Sequence, residues 1–135
     1  MSYWVKRLDE VPLVPTDDPD DFEWYPLQHH FGLGAFGVNA FGGDSGIQLV
    51  AEHDERESGH EELYLVVCGA ARFTLNGEEH DATAVSVIAI PDPAVTRACV
   101  ATEDDTIVLA VGGPADSGFT TTWRAEHFEH LPRAD

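Results

Sequence analysis

The chain has 135 residues, no internal repeat and 43% hydrophobic residues, the size and composition of one globular domain around a single core. Seven Lys plus Arg against 25 Asp plus Glu leave a formal charge of −18, so phosphate backbones and anionic headgroups are repelled, and neither nucleic acid nor a membrane surface is expected as a partner. The cysteines, Cys68 and Cys99, lie in or beside apolar runs without CxxC spacing, which points to buried thiols in a reducing, cytoplasmic setting and away from a disulfide framework.

The amino terminus has no apolar signal segment. The longest uncharged stretch, residues 25–43, holds five Gly, two His, a Gln and an Asn, so no membrane span is expected. Residues 2–8 alternate in side-chain character and read as an arm strand able to add to the sheet edge of a second copy, the basis for expecting a homodimer. Residues 9–23 mix three prolines with seven carboxylates and read as an exposed arm. Short apolar or alternating runs then recur at 35–41, 46–51, 63–68, 71–75, 85–90, 95–101 and 106–111. Strands at such spacing, about 8–12 residues apart, signal an all-β sandwich or barrel. Asn76-Gly77 between two runs predicts a tight hairpin, and Pro91-Asp92-Pro93 closes a strand. The one helical candidate begins at Thr122 as a cap and carries Trp123, His127, Phe128 and Leu131.

Residues 59–73, GHEELYLVVCGAARF, resemble the first motif of the cupins, with Glu62 and Gly69 in that family's E-x6-G spacing. The segments that follow match the remaining strands of the barrel in order, through Val111-Gly112-Gly113. The resemblance implies a single antiparallel double-stranded β-helix, a cupin or jelly-roll barrel, with an extended N-terminal arm and a short C-terminal helix. Residues 1–34 are then the arm and leading strands, 35–113 the barrel core, and 114–135 a C-terminal strand or helix packed on the same domain.

Cupins usually hold a metal on three His and one Glu. Here Glu62 takes the carboxylate slot, but Arg56 and Ser58 stand in the two upstream His slots and Thr96 in the last one. A hydroxyl replaces imidazole poorly on a transition metal, and a guanidinium repels one, so the resemblance implies that the ordinary site is absent and that no cofactor is expected. The alternative is a rearranged site of His53, His60 and Glu62, with His53 or Glu55 reaching in from the preceding loop, for a divalent iron, manganese, nickel or zinc. Of the His29-His30 pair, one at most points inward.

If Thr96 fills the His slot, alternation puts Ala98 and Val100 on the inner face, while Tyr64 and Val66 follow Glu62. An ionised Glu62 there requires a cation or a proton. Arg56 or a protonated His60 supplies the cation if it faces inward; otherwise Glu62 is protonated or hydrated. The expected function is therefore binding of a small organic molecule in the barrel by Glu62, Tyr64, His60, Thr96 and Arg56. The alternatives are a metal-dependent isomerase or dioxygenase, and a purely structural protein with a filled barrel. No nucleophile elbow, activated thiol or phosphate loop is present in the sequence.

Overall fold

The computed structural model describes residues 2–135. Its nine strands are β1 (Glu23–Tyr25), β2 (Gly37–Gly43), β3 (Gln48–His53), β4 (His60–Cys68), β5 (Ala70–Leu75), β6 (Glu78–Thr83), β7 (Val87–Ile90), β8 (Arg97–Ala101) and β9 (Thr106–Pro114). All pair antiparallel, in a five-stranded sheet of order β1-β2-β9-β4-β7 and a four-stranded sheet of order β3-β8-β5-β6. Successive strands pass back and forth between the sheets, which is the double-stranded β-helix expected from the sequence.

Period-two alternation decides what is inside. Tyr64 and Val66 of β4, Val108 and Ala110 of β9, Phe73 of β5 and Cys99 of β8 form one buried cluster between the sheets, with the Tyr64 and Phe73 rings 5.5 Å apart. Burial pushes the Cys99 thiol up to about 12 and keeps it protonated. Both cysteines are free; Cys68 is half-buried, with its sulfur 3.3 Å from the Asp105 carbonyl.

Two turns fix the registers. Asn76 and Gly77 both have positive φ, 50° and 81°, and connect Leu75 directly to its partner Glu78, as a two-residue type I′ hairpin requires. Gly69, between β4 and β5, has φ 75°, and a Cβ there would lie 2.7 Å from Thr106 Cα. Thr106 is itself fully buried: its hydroxyl lies 2.8 Å from the Glu103 carbonyl and 3.0 Å from that of Ala70, and it accepts the Ala70 N–H at 3.2 Å. Only glycine satisfies both the turn and the close approach.

Three local expectations are corrected. Residues 2–7 form no strand. They lie against the short helix α1 (Leu27–Phe31) of their own chain, with Trp4 and Phe31 rings 5.9 Å apart and Lys6 Nζ donating to His30 Nε2 at 2.9 Å. The five residues of α1 are too few to show a helical period in sequence; the helix ends at Gly32, whose φ is 65°. Thr122 caps no helix: the only helical turn beyond β9 is Ala125–His127, whose N-cap is Arg124. Phe119, Trp123, Phe128 and Leu131 are all exposed, so nothing supplies the burial that a short helix needs.

Replacing Gly69 with Ala combines left-handed strain with a backbone clash and is expected to cost at least about 2 kcal/mol. Gly77→Ala, at a turn where nothing lies within 4 Å, carries the strain alone. Chemical denaturation of both variants tests this, and equal losses would contradict the role given to Thr106.

Candidate functional site

Near the starts of β4 and β8 the interior turns from apolar to charged. Glu62 points inward from β4. The opposite strand position is Gly112, where a Cβ would lie 2.7 Å from the Glu61 carbonyl and 3.6 Å from Glu62 Cγ. Facing it from the other sheet is Arg97, the first residue of β8, with a side-chain exposure of 0% against 16% for Glu62. Arg97 Nη1 donates to Glu62 Oε1 at 3.0 Å, while Nη2 and Nε donate to the Val95 carbonyl at 2.8 and 3.2 Å. The Tyr64 hydroxyl donates to the same Glu62 oxygen. Burial, then the charge and hydrogen bond of Glu62, hold the Tyr64 phenol far above its ordinary range, so it remains a donor.

Arg97 is the residue that sequence reasoning misses. The inner face of β8 is Arg97, Cys99 and Ala101, the opposite parity to the expected Thr96, Ala98 and Val100. The β5–β8 ladder fixes this facing, with Leu75 opposite Arg97 and Phe73 opposite Cys99, and Asn76 extends it by one pair. Its side-chain oxygen accepts from the Thr96 N–H at 2.9 Å and lies 3.3 Å from the Thr96 hydroxyl, and its own N–H donates to the Thr96 carbonyl at 2.9 Å. Thr96 is thereby committed to the hairpin, and the next residue points in. A single charge within the apolar run 95–101 is the signal in the sequence that marks Arg97.

Arg56 does not face Glu62. Its side chain is 70% exposed and lies beside Asp54, at 3.8 Å. His53 ends β3 opposite Arg97, brought there by two register shifts in that strand. Its Nδ1 lies 2.7 Å from the Ala51 carbonyl and its Nε2 3.1 Å from Glu55 Oε1. The Ser58 hydroxyl donates to Glu55 Oε2 at 2.7 Å. Burial raises the Glu55 carboxyl, but Ser58, His53 and the Arg97 charge outweigh it and hold the group below the ordinary carboxylate range. His60, at the start of β4, lines a separate recess with Gln28 and Phe36. Neither His29 nor His30 reaches the barrel: His29 is exposed on α1, and His30 is the acceptor for Lys6.

His53, Glu55 and Glu62 present ligand atoms within 4.8 Å of one another, so the group gathered here has Glu55 where the rearranged set has His60. Its donor chemistry does not fit the family's metal. One imidazole and two carboxylates stand in place of three imidazoles and one carboxylate, an oxygen of Glu62 already accepts from Tyr64 and Arg97, and the guanidinium beside it repels a metal cation. Among the described residues, no buried side-chain nitrogen or oxygen lacks a partner.

Tyr64 and Phe73 are among the largest side chains wholly buried between the sheets. A cleft of about 620 Å³ adjoins the site at the end of β4, β7 and β9, and is lined by Phe36, Leu63, Ala89, Val111 and Phe119, with Glu61 and Glu62 as its ionisable groups. Register sets Leu63, Ala89 and Val111 side by side on the outer face of the five-stranded sheet.

No protein-family model matches the chain, and no curated protein is significantly similar to it. Solved structures are similar in fold. A sugar phosphate isomerase of the cupin superfamily from Silicibacter pomeroyi superposes with a TM-score of 0.64 at 21% identity, over 78% of this chain and 73% of that one. KdgF from a Halomonas species gives 0.62 at 21% identity, over 78% and 90%. An uncharacterised protein with a double-stranded β-helix domain from Klebsiella pneumoniae gives 0.65 at 16% identity, over 88% and 96%. These likenesses, with the strand order above, show a small cupin-fold domain. No helix among the described residues is long and apolar enough to cross a membrane.

Breaking a buried pair from one side leaves an uncompensated charge, so Glu62→Gln, which strands the fully buried Arg97 guanidinium, is expected to cost about 3–5 kcal/mol, and Arg97→Met less, because the Glu62 left behind retains some solvent. In a double-mutant cycle the combined loss should fall short of the sum by 1 kcal/mol or more, on the order expected for contacting charged groups; strict additivity would refute the pairing. A second measurement concerns pH. Because the folded state lowers the Glu55 carboxyl, its contribution is full above the unfolded carboxylate range and fades as pH falls through the folded value. The stability gap between wild type and Glu55→Gln should therefore shrink between about pH 5 and pH 3. A gap that widens on acidification would show the shift to be in the other direction.

Proposed function

We propose that this cupin-fold domain binds a small organic molecule without a resident metal, in the cleft beside Glu62 and not in the packed middle of the barrel. The observation that carries this reading is Arg97, a fully buried guanidinium hydrogen-bonded to the one carboxylate that keeps the metal-ligand slot. A permanent cation there satisfies Glu62 as a metal would, but offers no open coordination position, and so provides structure without Lewis-acid chemistry.

The cleft has what a small-molecule site needs. Its volume of about 620 Å³ lies inside the usual range of roughly 300–1,000 Å³, its walls are mainly apolar, and its ionisable groups are few. Of the side chains first expected to bind the ligand, Glu62 borders the cleft, while His60 lines the adjoining recess that shares Phe36 and Gly112 with it. In this reading Tyr64 and Thr96 act through packing and hydrogen bonding: Tyr64 holds Glu62, and Thr96 is tied to Asn76.

A metal-dependent isomerase or dioxygenase is the second reading, favoured by the gathering of His53, Glu55 and Glu62. A metal there would take the place of the contact between His53 Nε2 and Glu55, with Nδ1–H held by the Ala51 carbonyl as in many metal-ligating histidines.

Thermal-shift measurements on wild type and Val111→Trp, a cleft-filling variant, across sugars, small acids, amines and aromatic compounds separate the readings. Stabilisation of wild type by at least one class, lost in Val111→Trp, is expected, together with no stoichiometric binding of manganese, iron, nickel or zinc by calorimetry. One tightly bound equivalent of metal, abolished by Glu62→Gln, would replace this reading with the second.

A further inference from the structure

Resting on the cleft reading above, we propose that the molecule taken by this cleft is an organic cation, an amine carrying an aromatic or aliphatic body. Glu61 and Glu62 are neighbours in sequence but point to opposite faces of β4. Glu62 turns inward and is neutralised by Arg97. Glu61 turns outward, on the face it shares with Leu63, and forms no ion pair among the described residues. Its cross-strand partner is Gly113, where no atom lies within 4 Å of a Cβ position, so the ground beside the carboxylate is open.

The cleft lining contains no Lys, Arg or His. The nearest ring base, His60, belongs to the adjoining recess. A carboxylate flanked by apolar walls, without a cation of its own, is complementary to a ligand that brings one. The rims agree: Phe36 and Phe119 are exposed aromatic rings able to lie against an ammonium group, with Phe119 92% exposed. The whole molecule agrees as well, since a charge of −18 concentrates cations near the surface and repels carboxylates and phosphates. A sugar phosphate is accordingly disfavoured here.

The test is calorimetric titration at low salt with three probes of similar shape: phenethylamine, 2-phenylethanol and 3-phenylpropionate. Wild type should bind the amine about tenfold more tightly than the alcohol and the carboxylate most weakly, and added salt should weaken the amine alone. Glu61→Gln should reduce the amine to the affinity of the alcohol while leaving the alcohol unchanged, which also shows that the variant is folded. Equal or tighter binding of the carboxylate, or an amine preference that survives Glu61→Gln, would overturn the proposal. If the alcohol binds, is excluded by Val111→Trp and shows no disadvantage to the amine, the cation inference fails while the cleft reading stands. If none of the three binds, the cation inference fails, and the cleft reading is decided by the wider set of compounds above.

Discussion

A guanidinium with no access to water has to be neutralised and hydrogen-bonded where it stands, and Arg97 meets that demand by tying the two sheets together. Its partner Glu62 comes from the five-stranded sheet, and its other acceptor, the Val95 carbonyl, lies just before β8 in the four-stranded one. The pair closes the end of the barrel where apolar packing gives out. Several features of the surroundings serve it: the Tyr64 hydroxyl adds a second donor, and Gly112 avoids crowding the Glu61 carbonyl beside Glu62. A buried ion pair of this kind contributes little net stability over a well-packed apolar substitute, but it penalises any arrangement that separates its members. It therefore acts chiefly on the register and approach of the sheets.

Much of the architecture was legible in the sequence because alternation and turn chemistry are local. The Asn76-Gly77 hairpin follows from residues a few positions apart, while the double-stranded β-helix and the glycine at position 69 came with the resemblance to the cupin motif, and the glycine's clash partner Thr106 is far away in the chain. The site was less legible. Matching Thr96 to a ligand slot set the parity of β8 from the motif, whereas in the structure the parity follows the pairing of β8 with β5, a strand about twenty-five residues upstream. A one-residue displacement reverses every side chain in a strand, so that pairing puts Arg97 and not Thr96 beside Glu62. Arg56 fails for a related reason: Asp54, two residues away, is a nearer partner than anything in the barrel. The tails were hardest, since residues 2–7 and 115–135 have no ladder to fix them and their conformation depends on contacts that no periodic pattern announces.

The adjacent carboxylates of β4 divide two tasks. Glu62 is paired with Arg97, and Glu61 borders an apolar cleft without an ion pair among the described residues, so in the function proposed above recognition falls to the outer face of the five-stranded sheet and not to the barrel interior. A fold that elsewhere gathers imidazoles around a metal here gathers a salt bridge, and the resemblance in fold accordingly says little about activity.

The central claim is that a fixed guanidinium, and not a metal ion, neutralises Glu62. The most direct measurement is nitrogen-resolved NMR of the Arg97 guanidinium, assigned by comparison with Arg97→Met, before and after addition of equimolar zinc. Slowly rotating, exchange-protected Nη–H signals that zinc leaves unchanged are the predicted result. Signals that are averaged and rapidly exchanging in the free protein, or displaced when zinc binds at Glu62, would contradict it.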